Sequence, residues 1–321
     1  CLINFVRWQD DNGIANWKRK IMISLVTGGA GFIGSNLVDH LVYKGHKVIV
    51  LDNFSTGKKS NVSHHLKKNV QIIKVDISKN KQLDKYFKGV SYVFHLAGLA
   101  GLTQSIKNPD KYFYSNVLGT FNVIQALKKK KIKKFIYTAS ASCYGIPDKY
   151  PTNENAKIRP MNPYAFTKWQ AEELIMHWVK IYNFPAISLR LFNAYGPRLS
   201  SSGAYRSVFG IFLSQKKTNE PLTIVGNGNQ TRDFIHVKDL VYAIIKAAFS
   251  KKAGEIYNVA GGREITVNKI ARLIGGKKIY ISKRPAETHR SLADIKKIKR
   301  DLNWQPQIKL EEGIKDFFKL K

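Results

Sequence analysis

The sequence LVTGGAGFIG at residues 25–34 decides the fold, because it is typical of a strand that runs into a phosphate-binding turn. Gly28, Gly31 and Gly34 stand at the three glycine positions of this fingerprint. Such glycines permit a tight turn, the close approach of a pyrophosphate and the packing of the next helix on its sheet. That helix, from Ser35 onward, would point its N-terminus at the anion. The stretch therefore predicts a dinucleotide-binding site.

A second apolar strand supports this interpretation, because it ends in an acid. Residues 48–52 read VIVLD, and Asp52 stands where a carboxylate can bind the ribose of an adenosine. A glycine-rich turn without a ligand would have no need of this acid. The two features together therefore favour a bound dinucleotide.

Short apolar strands alternate with helical segments between residues 21 and 190. This alternation predicts an α/β fold with a doubly wound parallel sheet of the Rossmann type. The predicted strands are 21–27, 47–52, 70–75, 92–96, 134–139 and 186–191, and two clear helices are 117–127 and 164–182. Farther along, we predict a strand at 219–225, a helix at 237–249, a strand at 255–259 and a helix at 265–274.

The domain organisation follows from the same pattern. We interpret residues 1–20 as an N-terminal extension outside the fold, and residues 21–190 as the dinucleotide-binding domain. Residues 191–321 are expected to form a smaller α/β lobe for the substrate. No Pro/Gly linker separates the two, so we expect them to be interwoven, with segments near 235–260 returning to the first domain.

The charge of the chain is extreme, with 54 basic and 22 acidic residues and a net charge of +32. A nucleic-acid partner is therefore a rival interpretation. The lysines are, however, spread over predicted loops and helix ends, where they suit the helix dipole, and no nucleic-acid-binding signature accompanies them. We therefore expect a lysine-rich solvated surface that steers anionic substrates, and no nucleic-acid partner.

The remaining composition predicts a cytoplasmic protein. No run approaches the roughly 20 apolar residues of a membrane helix, and the first twenty residues lack the pattern of a secretory signal. Two cysteines, Cys1 and Cys143, cannot form a disulfide framework. We predict no membrane association and no metal site.

Three residues point to redox chemistry. Tyr164 and Lys168 are spaced i and i+4, so they share one face of a predicted helix. A neighbouring cation stabilises a phenolate, so we expect Lys168 to lower the pKa of Tyr164; a half-buried Tyr beside a solvated Lys is the plain alternative. Ser140 ends a buried strand, where it could donate a hydrogen bond to an oxygen that becomes charged. Ser142 is a weaker candidate, and we interpret Cys143 as a packing residue.

These motifs together resemble the extended short-chain dehydrogenase/reductases, specifically their nucleotide-sugar epimerase/dehydratase group. The matching segments are 27–34, 51–53, 75–77, 95–98, 116–120, Ser140, Tyr164 with Lys168, 190–198 and 231–239. The resemblance implies an NAD cofactor, since Asp52 would repel the 2′-phosphate of NADP. The cofactor contacts that it implies are Gly28, Gly31, Phe32, Ile33, Gly34, Asp52, Asn53, Asp76, Ile77, Leu96, Ala97, Gly98, Asn116, Tyr164 and Lys168.

The resemblance also implies a nucleotide-sugar substrate, here a UDP-sugar. Asn193 and Arg232 match diphosphate-binding positions, and Arg284 and Glu287 match a segment that contacts phosphate and the nucleotide ribose. The full set of implied substrate contacts is Ser140, Ser142, Asn193, Arg232, Arg284, Glu287 and Ser291. Relatives are usually homodimers, and the corresponding helices here are 112–128 and 164–181.

The strand end at residues 140–142 favours one reaction within the group. Related dehydratases and decarboxylases carry an acid there, whereas this chain reads Ser-Ala-Ser. We therefore expect 4-epimerisation through a transient 4-keto sugar. Tyr164 would take the proton of the 4-hydroxyl while the C4 hydride is lent to NAD and then returned to the other face. The small Ser291 would leave room for a 2-acetamido group, which adds UDP-GlcNAc and UDP-GalNAc to UDP-glucose and UDP-galactose.

Two alternatives stay open. One is a nucleotide-sugar dehydratase or decarboxylase of the same group, which would give a net chemical change of the sugar. The other is a non-catalytic RNA-binding or regulatory member of the fold, which the charge suggests. The presence of Ser140, Tyr164 and Lys168 argues against the second alternative, because such a module has no need of all three.

Overall fold

The computed structural model describes residues 22–66, 69–79, 82–200, 207–282 and 289–318. Its centre is a parallel sheet of seven strands, in the order β10-β6-β5-β4-β1-β2-β3. The strands of this sheet are β1 (Ile23–Thr27), β2 (Lys47–Asp52), β3 (Val70–Lys74), β4 (Tyr92–His95), β5 (Lys134–Ser140), β6 (Ala186–Leu191) and β10 (Glu255–Val259). This is the α/β architecture that the sequence predicts.

Helices cover both faces of the sheet. The α-helices are α1 (Phe32–Tyr43), α2 (Leu102–Lys107), α3 (Pro109–Tyr112), α4 (Gly119–Leu127), α5 (Pro163–Tyr182), α6 (Val208–Lys217), α7 (Val237–Phe249), α8 (Val267–Ile274), α9 (Lys296–Leu302) and α10 (Leu310–Phe318). The apolar faces of α1, α7 and α9 share one core with the sheet, while α4 and α5 bury theirs on the opposite face. None of the helices in the described ranges combines the length and apolarity needed to cross a bilayer.

The strands are apolar for a simple reason: the helical layers bury both of their faces. All seven residues of β5 are buried, which explains why this segment shows no alternation of polar and apolar residues. The strand order reverses between β1 and β4, so the loops at their carboxyl ends diverge and leave a crevice. Ligands of such sheets bind in this crevice.

A smaller lobe lies over the carboxyl edge of the sheet. It contains the three-stranded sheet β11-β9-β7 and the pair β12-β8, packed against α6, α8 and α10. Its strands are β7 (Asn193–Tyr195), β8 (Leu222–Val225), β9 (Thr231–His236), β11 (Glu264–Thr266) and β12 (Lys278–Ile281). Between β9 and β11 the chain crosses back to the large sheet through α7 and β10.

Most element boundaries agree with the sequence prediction, and three differ for local reasons. The strand predicted at 219–225 begins only at Leu222, since Asn219 is left-handed with φ +56°. The helix predicted at 265–274 begins at Val267, because Thr266 caps it by accepting a hydrogen bond from the Lys269 amide. The helix predicted from residue 117 is π-helical over Phe113–Leu118 before α4 begins.

Candidate active site

A cavity of about 890 Å³ lies between the carboxyl ends of the strands and the smaller lobe. Its volume is typical of a site for a small molecule. Seven residues that the sequence selects for chemistry or substrate binding line it: Ser140, Ser142, Tyr164, Lys168, Asn193, Arg232 and Ser291. Ile33, Leu96 and Gly98 of the predicted cofactor set also border it, so the cavity and the glycine turn are continuous. Arg284 and Glu287 lie outside the described residues.

Ser140 and Tyr164 meet at the floor of the cavity. Ser140 is the last residue of β5, and its Oγ shares a hydrogen bond of 2.8 Å with the Oγ of Ser142. Tyr164 stands in the first turn of α5, which Asn162 caps by accepting a 3.0 Å hydrogen bond from the Ala165 amide. Both residues line the cavity, and the Ser140 side chain acts to lower the pKa of the Tyr164 hydroxyl. A strand end and a helix start thus hold the two hydroxyls together.

The pKa values of Tyr164 and Lys168 differ from what the sequence predicts. Burial raises the pKa of Tyr164, and the hydrogen bond with Ser140 only partly opposes that rise. Burial lowers the pKa of Lys168 to about 7, although the charge of Glu172 opposes it. The Lys168 Nζ lies 4.2 Å from the centroid of the Tyr137 ring and forms a cation–π contact with it. The expected lowering of the Tyr164 pKa by Lys168 is therefore wrong for the protein without a ligand.

A buried ion pair attaches α5 to the sheet, and no pattern in the sequence predicts it. The Nη2 of Arg190 on β6 lies 2.6 Å from Oε1 of Glu172, one helical turn beyond Lys168. Ser188 donates a 2.7 Å hydrogen bond to the other oxygen of the same carboxylate. Because breaking a buried pair leaves one charge unpaired, this contact fixes α5 firmly to the sheet. Glu172 and Arg190 are therefore positioning residues for Lys168.

The glycine turn has the shape that a pyrophosphate requires. A Cβ at Gly34 would lie 2.2 Å from the carbonyl oxygen of Gly28, and a Cβ at Gly28 would lie 2.7 Å from the Ala97 amide nitrogen. A Cβ at Gly31 would meet only one atom within 4 Å, the Gly28 oxygen at 3.2 Å. The turn is therefore tightly packed at Gly28 and Gly34 and open at Gly31. The N-terminus of α1 has no side-chain cap there, so its amides face the opening.

Acids follow the next two strands of the sheet. Asp52 at the end of β2 accepts hydrogen bonds from the amides of Ala30 (2.9 Å) and Phe54 (2.8 Å), while burial raises its pKa. Each carboxylate oxygen keeps a second lone pair for a ribose hydroxyl. Asn53 donates a 3.3 Å hydrogen bond to Asp76, which stands after β3. The glycine turn, the N-terminus of α1 and the carboxylate of Asp52 together fit a dinucleotide such as NAD.

Asn116 contacts other protein groups rather than the open cleft. Its Oδ1 accepts a 2.7 Å hydrogen bond from the Leu99 amide, and its Nδ2 donates to Leu99 O and to Thr167 Oγ1, both at 3.1 Å. These bonds join the 96–99 loop to α5. We therefore assign Asn116 a positioning role, in which it holds Leu96, Ala97 and Gly98 beside the glycine turn.

A buried histidine beneath the same loop has no role in the sequence prediction. His95 Nδ1 lies 2.7 Å from Thr27 Oγ1, and its Nε2 lies 2.9 Å from Thr120 Oγ1. Burial, together with the charge of Lys168, lowers the pKa of His95 to about 3, so the ring is neutral. Thr27 also accepts a 3.2 Å hydrogen bond from the Ala97 amide. The network therefore locks the loop after β4 onto the end of β1.

In the smaller lobe, the predicted substrate-binding residues lie around one buried acid, Asp233. Asp233 accepts hydrogen bonds from the amides of Gly261 (2.8 Å) and Ala293 (3.0 Å), and burial raises its pKa to about 7. Its neighbour Arg232 lines the cavity, and Asn193 donates a 3.2 Å hydrogen bond to the Asp233 carbonyl oxygen. Asp233 thus fastens the segment that carries Ser291 beside Arg232. The sequence alone could not distinguish this role from that of a turn residue.

The cavity is lined by cations. Arg290 forms a two-point ion pair with Glu264, with both contacts at 2.8 Å, and lies 4.6 Å from the Tyr150 ring centroid. The described lining carries the basic side chains of Lys107, Lys168, Arg232 and Arg290, and no Asp or Glu is among its described residues. Such a lining suits a substrate with several negative charges.

Comparisons with known proteins identify the family of this chain. Residues 24–260 match the family described as the NAD dependent epimerase/dehydratase family. A putative UDP-glucose 4-epimerase of Methanocaldococcus jannaschii is 38% identical over 300 residues, which are 91% of this chain and 95% of that protein. UDP-glucuronic acid decarboxylase 4 of Arabidopsis thaliana is 34% identical over 316 residues, 94% of this chain and 69% of that protein.

The solved structures agree as well. The UDP-N-acetylglucosamine 4-epimerase of Methanobrevibacter ruminantium M1, in complex with UDP-N-acetylmuramic acid, is similar with a TM-score of 0.88 and 34% identity. The match covers 94% of this chain and 98% of that chain. This chain belongs to the NAD-dependent epimerase/dehydratase family, and the resemblance inferred from its motifs is confirmed.

Proposed function

We propose that this protein catalyses the NAD-dependent 4-epimerisation of a UDP-sugar. The observation that carries the proposal is that Ser140, Tyr164 and Lys168 line one cavity, whose described lining is rich in basic side chains and contains no carboxylate. A hydroxyl pair is sufficient to move one proton on and off a sugar hydroxyl. The names of the similar 4-epimerases support the same reaction.

In this proposal the chain supplies proton transfer and orientation. The Tyr164 phenolate takes the proton of the sugar 4-hydroxyl and later gives it back, and Ser140 donates a hydrogen bond to the same oxygen. Bound NAD supplies the hydride acceptor and donor for C4. The raised pKa of Tyr164 means that charge near it must change before the phenol can act as a base. Lys168 lies one turn away and can provide part of that charge.

The remaining site residues are proposed to hold the two ligands. Gly28, Gly31 and Gly34 would accommodate the pyrophosphate of NAD, and Asp52 would bind its adenosine ribose and exclude NADP. Arg232 would bind the diphosphate of the sugar nucleotide. The roles of the other predicted contacts follow the same division: Phe32, Ile33, Asn53, Asp76 and Ile77 on the cofactor side, and Ser142, Asn193, Arg284, Glu287 and Ser291 on the substrate side.

The preferred sugars are UDP-glucose and UDP-galactose, with UDP-GlcNAc and UDP-GalNAc as further substrates. Ser291 lines the cavity with a short side chain, which leaves space for a 2-acetamido group. A cavity of about 890 Å³ also leaves space for a keto sugar to rotate between its two hydride transfers. Dehydration or decarboxylation is the second candidate, since a similar Arabidopsis protein is named a UDP-glucuronic acid decarboxylase.

We further propose a homodimer through the surface of the π-helical segment and α5. Phe113, Tyr114 and Phe166 are between 43% and 55% exposed there, and Tyr182 is 49% exposed at the far end of α5. Apolar residues grouped on one face are typical of protein interfaces. A cytoplasmic location and the lack of a nucleic-acid partner stay predictions from the sequence.

Product analysis tests the proposed reaction. We expect the protein with NAD to convert UDP-glucose into UDP-galactose, resolved by NMR, while free NADH stays constant. Tyr164→Phe should lower kcat by about 10²–10⁴-fold, which is the usual contribution of general acid–base catalysis, and keep the circular dichroism spectrum. Tyr43→Phe, at a residue that is 63% exposed and outside the described cavity lining, is the matched control. A deoxy or decarboxylated product, or full activity of Tyr164→Phe, would contradict the proposal.

A further inference from the structure

A histidine-rich cluster lies between α1 and the segment after β2, and none of its residues is among the described lining of the active-site cavity. Asp39 of α1, His64 and His65 bring their ligand atoms within 4.8 Å of one another. The Nε2 atoms of His64 and His65 lie 3.1 Å and 2.7 Å from the same oxygen, Asp39 Oδ1. The two imidazole rings are tilted by 42° to each other, with centroids 4.0 Å apart. Two ring nitrogens and one carboxylate oxygen therefore converge on a single point.

Other contacts of the fold hold Asp39 and His65 in place. Arg198 forms an ion pair with the second oxygen of Asp39 and donates a 3.1 Å hydrogen bond to Asn61 O. Arg198 thus orients the carboxylate so that Oδ1 faces the two histidines. His65 is 7% exposed, and among the described residues its Nδ1 has no hydrogen-bond partner, so the described contacts hold the ring through the nitrogen that faces the cluster.

The ligand types match a particular class of ion. Two imidazoles and one carboxylate, with a water as the fourth ligand, are a common set for zinc. Calcium and magnesium prefer sites with more oxygen ligands. His64 is 45% exposed, so an ion could enter from solvent past this side chain without opening the core.

We propose that Asp39, His64 and His65 form a binding site for zinc or a similar divalent transition metal. The metal accepts one lone pair from each histidine Nε2 and from Asp39 Oδ1. Arg198 stays on Asp39 Oδ2 as an outer partner of the metal-bound carboxylate. Because Arg198 is positive and His65 Nδ1 lacks an acceptor, the site binds zinc less tightly than a closed structural zinc site does.

The site would couple metal binding to the segment behind the glycine turn. Asn61 donates a 2.8 Å hydrogen bond to the Ala30 carbonyl oxygen, and the Lys58 amide donates a 3.1 Å bond to the same atom. His64 and His65 follow directly on this segment. A metal between them and α1 therefore fastens both ends of the segment and stabilises the folded state.

Metal binding to the untagged full chain tests the proposal. After treatment with a chelator, the protein is dialysed against zinc and its metal content is measured; a parallel cobalt titration is followed by visible absorption. We expect about one metal per chain, tetrahedral cobalt bands, and a Tm that rises with zinc concentration. His64→Ala should abolish the stoichiometric binding, the cobalt bands and the rise in Tm.

Further variants separate this site from adventitious binding. His65→Gln should behave like His64→Ala, whereas His177→Ala, an exposed histidine on α5, should bind metal as the wild type does. Should His65→Gln fail to fold, the exposed His64 still provides the test. No stoichiometric binding by the wild type, unchanged binding by His64→Ala, or equal loss in His177→Ala would each overturn the proposal.

Discussion

The glycine turn and the substrate cavity are built in opposite ways. The turn is a continuous stretch, residues 28–34, in which contacts of the backbone itself define the shape. The cavity is assembled from side chains of β5, α2, α5, β9 and the segment near residue 291, which are far apart in sequence. A cofactor common to a whole family can be bound by backbone, whereas selection of a substrate depends on individual side chains. The two regions should therefore respond differently to substitution.

The largest difference is expected at Gly34. Gly34→Ala places a Cβ 2.2 Å from Gly28 O, which is a backbone atom and cannot move away without distorting the turn. We expect this variant to lose NAD binding and to have a clearly lower Tm. The Cβ of Gly31→Ala would meet only Gly28 O, at 3.2 Å. This variant should therefore keep its Tm and lose only NAD affinity. Thermal unfolding and NAD titration measure both, and a normal Tm with normal NAD affinity in Gly34→Ala would contradict the account.

A smaller effect, on the pH dependence of stability, is expected from His95, which joins the cofactor region to the sheet. Its pKa is about 3 in the folded protein against 6.5 ordinarily. Between these values the unfolded chain binds a proton that the folded protein does not, so the free energy of unfolding falls as the pH drops below 6.5. From pH 6.5 to pH 4, this residue should remove about 3 kcal/mol of stability.

The corresponding variant is His95→Gln, which keeps a polar side chain and removes the titration. Urea unfolding at several pH values should show a shallower loss of stability below pH 6.5 than in the wild type. His177→Gln, at an exposed position, should follow the wild-type curve. Parallel curves for wild type and His95→Gln would show that the neutral buried ring does not contribute to acid sensitivity.

The smallest effect is expected at Ser291 in the cavity. Ser291→Tyr fills space beside the sugar, so kcat/KM for UDP-GlcNAc should fall by about 10–100-fold relative to that for UDP-glucose. Ser291→Thr adds one methyl group and should change the ratio far less. Coupled assays with the two substrates measure it. Equal exclusion of UDP-GlcNAc by wild type and Ser291→Tyr would remove the basis for the wider substrate range.

The same contrast explains what the sequence could predict. The glycine turn, Asp52, and the Tyr164 and Lys168 spacing are local patterns, so both the fold and the redox chemistry could be inferred. The Glu172–Arg190 ion pair and the hydrogen bonds of His95 to Thr27 and Thr120 join residues that are 18 to 68 positions apart. No local sequence pattern predicts these contacts. The raised pKa of Tyr164 depends on burial, which spacing along a helix does not reveal.

The proposed metal site was missed for a related reason. Asp39 lies 25 and 26 residues from its histidines, inside a helix that the sequence identifies only by its apolar face. No ligand spacing typical of zinc appears in the sequence, so a metal site is not predicted from it. Contact between the two segments arises only once α1 and the segment after β2 pack together.

The central claim is that the hydride leaves C4 and returns to the same carbon within one turnover. The most direct test is incubation of the protein and NAD with UDP-[4-²H]glucose, followed by NMR and mass analysis of the nucleotide sugars. We expect UDP-galactose that retains the deuterium at C4, with no accumulation of NADH. Deuterium found at another carbon or in free NADH, or a product that has lost water or carbon dioxide, would contradict it.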